Sequence, residues 1–236
     1  MTIKKYIPNF LTLLNLFCGC VALVFVANSN FEAAFFFVAL GIFFDFFDGF
    51  FARKFNVSGP LGVQLDSLAD MVTSGVVPGF LIYKILSNEY MLGSASYLPY
   101  LGFVITLGAC YRLANFNLDT RQTDSFIGLP TPANTLFFLS LPLINWDQFS
   151  FDAINTIYFC YILLGFCFLS AYVMNAEIAL FSLKIKNFSV AKYKLQIAFV
   201  VCAFLLVIFF KYLGVAITVM LYVILSILNN LFFSKK

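Results

Sequence analysis

Four aspartates, Asp45, Asp48, Asp66 and Asp70, lie in the stretch FFDFFDGFFARKFNVSGPLGVQLDSLAD between Phe43 and Asp70. At about 100° per helical residue, Asp45, Asp48, Gly49 and Ala52 share one sector, and Gly62, Asp66 and Asp70 recur every four residues as a second stripe. The link from Arg53 to Leu61, with Asn56, Ser58, Gly59 and Pro60, is short enough to make the two helices antiparallel neighbours. Four carboxylates then face one another. Without countercharge they would repel strongly and be costly to desolvate, so the arrangement calls for cations. Hard oxygen ligands with no histidine or thiolate among them favour magnesium, manganese or calcium over zinc. Two divalent ions bridged by carboxylates match the charge, and such a pair stabilises both the attacking and the leaving oxygen of a displacement at phosphorus.

The residues between the acids admit two uses. Gly49 and Ala52 are small enough to let membrane helices approach closely or to let a bulky ligand lie over that face. Arg53 and Lys54 fit as anchors at the membrane surface, and Arg53 also follows the acidic stripe closely enough to pair with it.

These helices belong to a chain of 236 residues that is 62% hydrophobic, with 33 Phe, 12 Tyr and only 11% charged residues. Its mean hydropathy is +0.96, too apolar for a water-soluble surface. Apolar runs long enough to cross a core of roughly 30 Å fall near 8–27, 31–52, 66–87, 97–116, 131–146, 153–174, 195–211 and 214–233. The expected fold class is all-α: a polytopic membrane helix bundle of about eight transmembrane helices, with a turn near Lys211 to Gly214 separating the last two. With both termini cytoplasmic, eight crossings leave only Lys84 and Lys211 of the 14 basic residues outside, as the excess of basic residues in cytoplasmic loops requires. Dropping the fifth helix would export the four lysines between 184 and 194. The N-terminal run is interrupted by Asn9, Thr12 and Asn15 and lacks a small-residue cleavage site, which argues against a cleaved signal. Cys18, Cys20, Cys110, Cys160, Cys167 and Cys202 all lie in apolar runs and suit packing rather than zinc or disulfides. The net charge of +3 reflects membrane orientation and implies no nucleic acid. Nothing marks a second domain, so 1–236 is expected to be one integral-membrane domain.

The spacing Asp45-x2-Asp48-Gly49-x2-Ala52-Arg53-x8-Gly62-x3-Asp66-x3-Asp70 resembles, at all eight defined positions, the signature of the CDP-alcohol phosphatidyltransferases. The resemblance implies that Asp45, Asp48, Asp66 and Asp70 hold two divalent metals, Mg2+ or Mn2+. It further implies that Gly49, Ala52, Arg53 and Gly62 shape the cytidine nucleotide site and that Asp70 is the general base. A homodimer in the cell membrane, with its active site facing the cytoplasm, is implied as well.

Further stretches resemble the serine-using branch of that family: IPNFLTLLN at 7–15, DSLADMVTSGVVPG at 66–79, RLANFN at 112–117, GLPTPA at 128–133 and MNAEIALFSLK at 174–184. The substrates so implied are CDP-diacylglycerol and L-serine. The unrelated, phospholipase D-like class of serine-using synthases, which needs catalytic histidines, is excluded, because the chain has none. Glycerol 3-phosphate or inositol phosphate is the alternative acceptor, and a cation carrier is the competing class; a carrier would more naturally place its acids at mid-membrane on broken helices. Read without the resemblance, Asn9, Thr12, Asn15 and Gly19 form a polar and small stripe that either packs helices or lines a phosphate site. Arg112, Asn115 and Asn117, followed by Arg121, gather at the cytoplasmic end of the fourth helix, where arginine can grip a phosphate or carboxylate or can simply mark the inside face. The GLPTP stretch reads as a rigid loop entering the fifth helix.

Overall fold

A computed structural model describes residues 6–87, 97–119, 126–145, 153–180 and 194–233. It is an all-α membrane bundle. Helix α1 spans Ile7–Ala27 and α2 spans Phe31–Lys54; α3 (Pro60–Asp70) runs through a wide π-turn, Met71–Val76, into α4 (Val77–Leu86). A 3-10 turn, Leu98–Phe103, leads into α5 (Val104–Leu118), and α6 (Thr131–Ser140) ends in the 3-10 turn Leu141–Leu143. Helices α7 (Ala153–Asn175) and α8 (Lys194–Phe233) complete the bundle. Strands β1 (Phe126–Ile127) and β2 (Ala179–Leu180) pair antiparallel, the one ladder among the described residues.

Local chemistry sets the boundaries. Pro8 occupies the first turn of α1 and Pro60 the first turn of α3, where a missing N–H costs nothing. After α1, Ser29 takes a left-handed φ of 58°, its N–H reaching the Val26 carbonyl and that of Asn30 reaching the Phe25 carbonyl. Asn30 then caps α2, its side-chain oxygen accepting from the Ala33 N–H at 3.2 Å. The α1–α2 hairpin closes in three residues and packs Ala22 and Val26 against Ala34 and Val38, with Val77, Leu81 and Leu139. A second cluster joins Ile82 and Leu86 to Ile105, Phe138, Leu163, Cys167 and Phe199. Helix α4 thus feeds both clusters, and the rod from Pro60 to Leu86 is the most buried of the long apolar helices.

Five helices among the described residues are long and apolar enough to cross a membrane: Ile7–Ala27, Phe31–Lys54, Pro60–Leu86, Tyr158–Asn175 and Gln196–Leu231. Two expected spans are shorter as helices. The run 97–116 opens in a 3-10 turn around Pro99, and the run 131–146 is α-helical only from Thr131 to Ser140, because Pro142 cannot continue the ladder. The third span starts earlier than expected, at Pro60, which places Gly62 and Asp66 on regular helix. The expected turn near Lys211 is present: Lys211 has a non-helical φ of 49° and ψ of −121°. Phe199 meets Tyr222 across the fold-back, with ring centroids 5.5 Å apart. All six cysteines are free; Cys18, Cys160 and Cys167 are buried as packing residues, whereas Cys20, Cys110 and Cys202 face outward.

The π-turn is held from three neighbouring helices. Pro78 has no N–H to offer the Ser74 carbonyl, and the hydroxyl of Thr135 on α6 donates to that oxygen at 2.8 Å. Thr106 on α5 donates to the Gly75 carbonyl at 2.9 Å, and Thr73 donates to the Asn15 carbonyl on α1 at 3.1 Å. Thr135→Val keeps the shape and removes the donor. We expect it to lower unfolding stability by about 1 kcal/mol, read from the midpoint of a denaturing-detergent titration, while Thr135→Ser stays close to wild type. Equal stability of the Val and Ser variants would show that the bond contributes nothing.

Candidate active site

The corner between α2 and α3 brings the acids together. Arg53 and Lys54 lie in the last turn of α2, where cations favour the helix C-terminus. Asn56 follows with a left-handed φ of 52°; its N–H reaches the Arg53 carbonyl at 3.2 Å and the Val57 N–H reaches the Ala52 carbonyl at 3.0 Å. This is a Schellman closure with asparagine in the position that usually takes glycine. Pro60 then starts α3 in the reverse direction, and one carboxylate oxygen from each of Asp45, Asp48 and Asp66 lies within 4.8 Å of the others. Asp48 is only 6% exposed.

Three oxygen donors and no nitrogen or sulfur converge here, so the donor set fits a hard divalent cation and disfavours a soft one. Arg53 lies within electrostatic reach of Asp48, as its place after the acidic stripe suggests. Its guanidinium extends over Gly49, where a Cβ would come within 3.3 Å of Nη1, and Arg53 is exposed. The glycine leaves space for the arginine. Lys54 points away, its Nζ 5.6 Å from the centre of the Phe50 ring. Gly49, Ala52 and Gly62 are half-buried on the faces that carry the acids.

The polar stripe of α1 supplies the wall opposite these helices. Asn9 directs Oδ1 at Gly62, 3.6 Å from where a Cβ would stand. The Thr12 hydroxyl donates to Asp48 Oδ2 at 2.5 Å, and Asn15 Nδ2 donates to Asp70 Oδ1 at 3.0 Å. Gly19 lies so close to Thr73 that any side chain there would collide with it. Packing and site-lining are therefore the same role for this stripe. Asp70 neighbours the three converging acids, within electrostatic reach of Asp45, Asp66 and Asp48, and has its own bond from Asn15.

Thr73, Thr106 and Thr135 were not among the residues singled out for the site by pattern. Their only signal is that isolated polar side chains in apolar helices need partners. Asn117 also reaches the acid-bearing helix, donating to Ser67 Oγ at 2.8 Å. Arg112 and Asn115 line a different cavity, which shares no lining residue with the carboxylate cluster. Arg121 lies outside the described residues.

Residues 5–166 match the family model for CDP-alcohol phosphatidyltransferase. The chain is 30% identical over 233 residues to CDP-diacylglycerol–serine O-phosphatidyltransferase of Helicobacter pylori, covering 97% of this chain and 92% of that protein. It is 37% identical over 132 residues to the enzyme of the same name from Bacillus subtilis, covering 54% of this chain and 70% of the relative. Archaetidylserine synthase of Methanothermobacter thermautotrophicus is 29% identical over 143 residues, 59% of each chain. The chain belongs to the CDP-alcohol phosphatidyltransferase family, a family of membrane enzymes, which sets aside the cation carrier.

The Thr12 bond to Asp48 generates a test. Partners that orient a metal-ligating carboxylate typically account for 10- to 100-fold in metal affinity. Thr12→Val should therefore weaken Mn2+ binding by about 10-fold or more, measured by electron paramagnetic resonance on the purified protein, with Thr12→Ser retaining most of it. Unchanged Mn2+ affinity in the Val variant would separate Thr12 from the acids.

Proposed function

We propose that the chain transfers the phosphatidyl group from CDP-diacylglycerol to the hydroxyl of L-serine and releases CMP. The observation that carries this reading is the convergence of Asp45, Asp48 and Asp66 on one point, with Asp70 beside them and bonded to Asn15. The names of the relatives supply the acceptor. In this reading Asp45, Asp48 and Asp66, with Asp70 at their edge, hold two divalent ions, magnesium or manganese. When bound, these ions neutralise pyrophosphate charge and polarise the phosphoryl oxygens. Gly49, Ala52 and Gly62 give the cytidine nucleotide room against the backbone, and Arg53 at the mouth supplies a cation for phosphate.

The chain's own part in the transfer follows from Asp70. The Asn15 bond orients the Asp70 carboxylate that would accept the serine hydroxyl proton. The serine oxygen forms its bond to the phosphorus that carries diacylglycerol while the bond from that phosphorus to the CMP oxygen breaks. CMP leaves with the electron pair, and the lipid product carries a primary amine and a carboxylate.

The same reading treats 1–236 as one domain, dimeric and in the cell membrane, with both termini and the active site cytoplasmic and eight crossings in all. The basic residues at the α2–α3 corner support that side for the acids. Helix α6, ten residues long, is the crossing on which the count turns.

Purified protein supplied with CDP-diacylglycerol should release CMP with L-serine and not with glycerol 3-phosphate or inositol phosphate. Chelation should abolish the release and magnesium or manganese restore it. In the same assay Asp70→Asn should lower kcat by roughly 100- to 10,000-fold. Turnover with glycerol 3-phosphate and none with serine would overturn the acceptor; full activity in metal-free enzyme would overturn the metal reading. For orientation, single cysteines placed at 55–60 and 186–190 of a cysteine-free variant should resist an impermeant thiol reagent on intact cells, and those at 89–93 should react. External labelling at 186–190 would show that α6 does not complete a crossing.

A further inference from the structure

Helices α6 and α7 and the half of α8 that follows Lys211 enclose a crevice of about 180 Å³. Its rim residues Leu169, Met220 and Ile224 are exposed, and they belong to helices long and apolar enough to cross a membrane. The mouth therefore faces lipid. From Val173 to Phe166 the crevice follows α7 for seven residues, roughly 10 Å at the helical rise. It runs along the helices, the direction in which lipid chains lie.

The lining combines hydrocarbon with one unmet need. Among the described residues, none that lines the crevice is charged, and the polar ones are Asn134 and Ser170. Asn134 is 1% exposed. Its Oδ1 accepts from Ser170 Oγ at 2.6 Å, whereas its Nδ2 is buried without a hydrogen-bond partner. An unpaired amide N–H in apolar surroundings requires an acceptor, and hydrocarbon offers none. Thr135, the next residue, lies about 100° further round α6 and donates to the Ser74 carbonyl. The crevice and the acid-bearing side of the bundle thus lie on different faces of α6, and they share no lining residue.

We propose that the crevice holds one acyl chain of a resident membrane phospholipid, a molecule separate from the nucleotide donor, with the ester carbonyl of that chain accepting from Asn134 Nδ2. A transmembrane helix from a second copy is about 10–12 Å thick and too wide for this volume, and its backbone carbonyls are already bonded. A free fatty acid would bring a carboxylate to a wall that carries no cation. An ester carries its acceptor without charge at the head of an apolar chain, and so answers both the apolar wall and the unpaired amide. The site does not depend on the serine reading above.

The test uses the full-length protein in phosphatidylcholine vesicles containing a phosphatidylcholine with a photoreactive diazirine on one acyl chain, the labelled residues being read by peptide mass spectrometry. Label should concentrate on Leu169, Met220 and Val223 over Phe10 and Phe17, which are exposed on α1. Unlabelled diester phosphatidylcholine should displace it about 2- to 10-fold better than the diether analogue, which lacks the carbonyls. Asn134→Leu should abolish that difference. Should this variant fail to fold, the diester and diether comparison on wild type decides alone, and Val223→Trp, which fills the crevice, should remove the label. Four results would overturn the proposal: label spread evenly over α1 and the crevice; equal displacement by diester and diether; displacement by CDP-diacylglycerol more than about tenfold better than by phosphatidylcholine, which would make this the donor's own chain site; and a disulfide between two copies through Met220→Cys in a cysteine-free background, which would give the crevice to a second copy.

Discussion

Three carboxylate oxygens within 4.8 Å of one another, in a chain that is 62% hydrophobic, are an arrangement that the rest of the fold must sustain. Like charges at that spacing repel, and burial raises the cost by removing water. Helix α1 offsets part of it by presenting donors instead of apolar side chains: Thr12 to Asp48 and Asn15 to Asp70. What hydrogen bonds leave uncompensated is a net negative site with hard oxygen donors, suited to divalent cations. The tight α1–α2 hairpin and the Asn56 corner exist in service of that geometry, because each fixes the direction in which an acid-bearing helix leaves its neighbour.

The second requirement is that Asp70 be held in a fixed position beside the acids it neighbours. It sits at the last residue of regular helix before the π-turn, where an added residue in the turn releases carbonyls from the normal ladder. In a membrane interior those carbonyls cannot turn to water. Thr73, Thr106 and Thr135 close the account with donors to or from three other helices, so the irregular turn is rigid rather than loose. A side chain adjacent to such a turn inherits its precision, which is what a proton acceptor needs.

At the other end of α5, the two-residue ladder does for the cavity beside Arg112 what the Asn56 corner does for the acids. It joins the stretch before α6 to the stretch after α7, and only that joining puts Arg112, Asn175 and Glu177 around one space. Asn117 of α5 also donates to Ser67 of α3, joining the helix that carries Arg112 to the one that carries Asp66 and Asp70.

The acid constellation was legible in the sequence because it is local: spacings of three and four residues on two helices joined by a short turn decide which side chains share a face. The same locality made α1, α2 and the break at Lys211 readable, since span length and hydropathy set them. Helix α6 was less so, as an apolar run reports burial and not how far the hydrogen-bond ladder continues past Pro142. The position of Arg53 over Gly49 and the separation of Arg112 from the acids depend on side-chain direction, which spacing does not encode. Thr73, Thr106 and Thr135 drew no attention as site residues because the carbonyls they reach on other elements lie 31 or more residues away. The sequence by itself determined which acids meet; the tertiary structure decided which hydroxyls and amides orient them, because those bonds form only once distant helices pack.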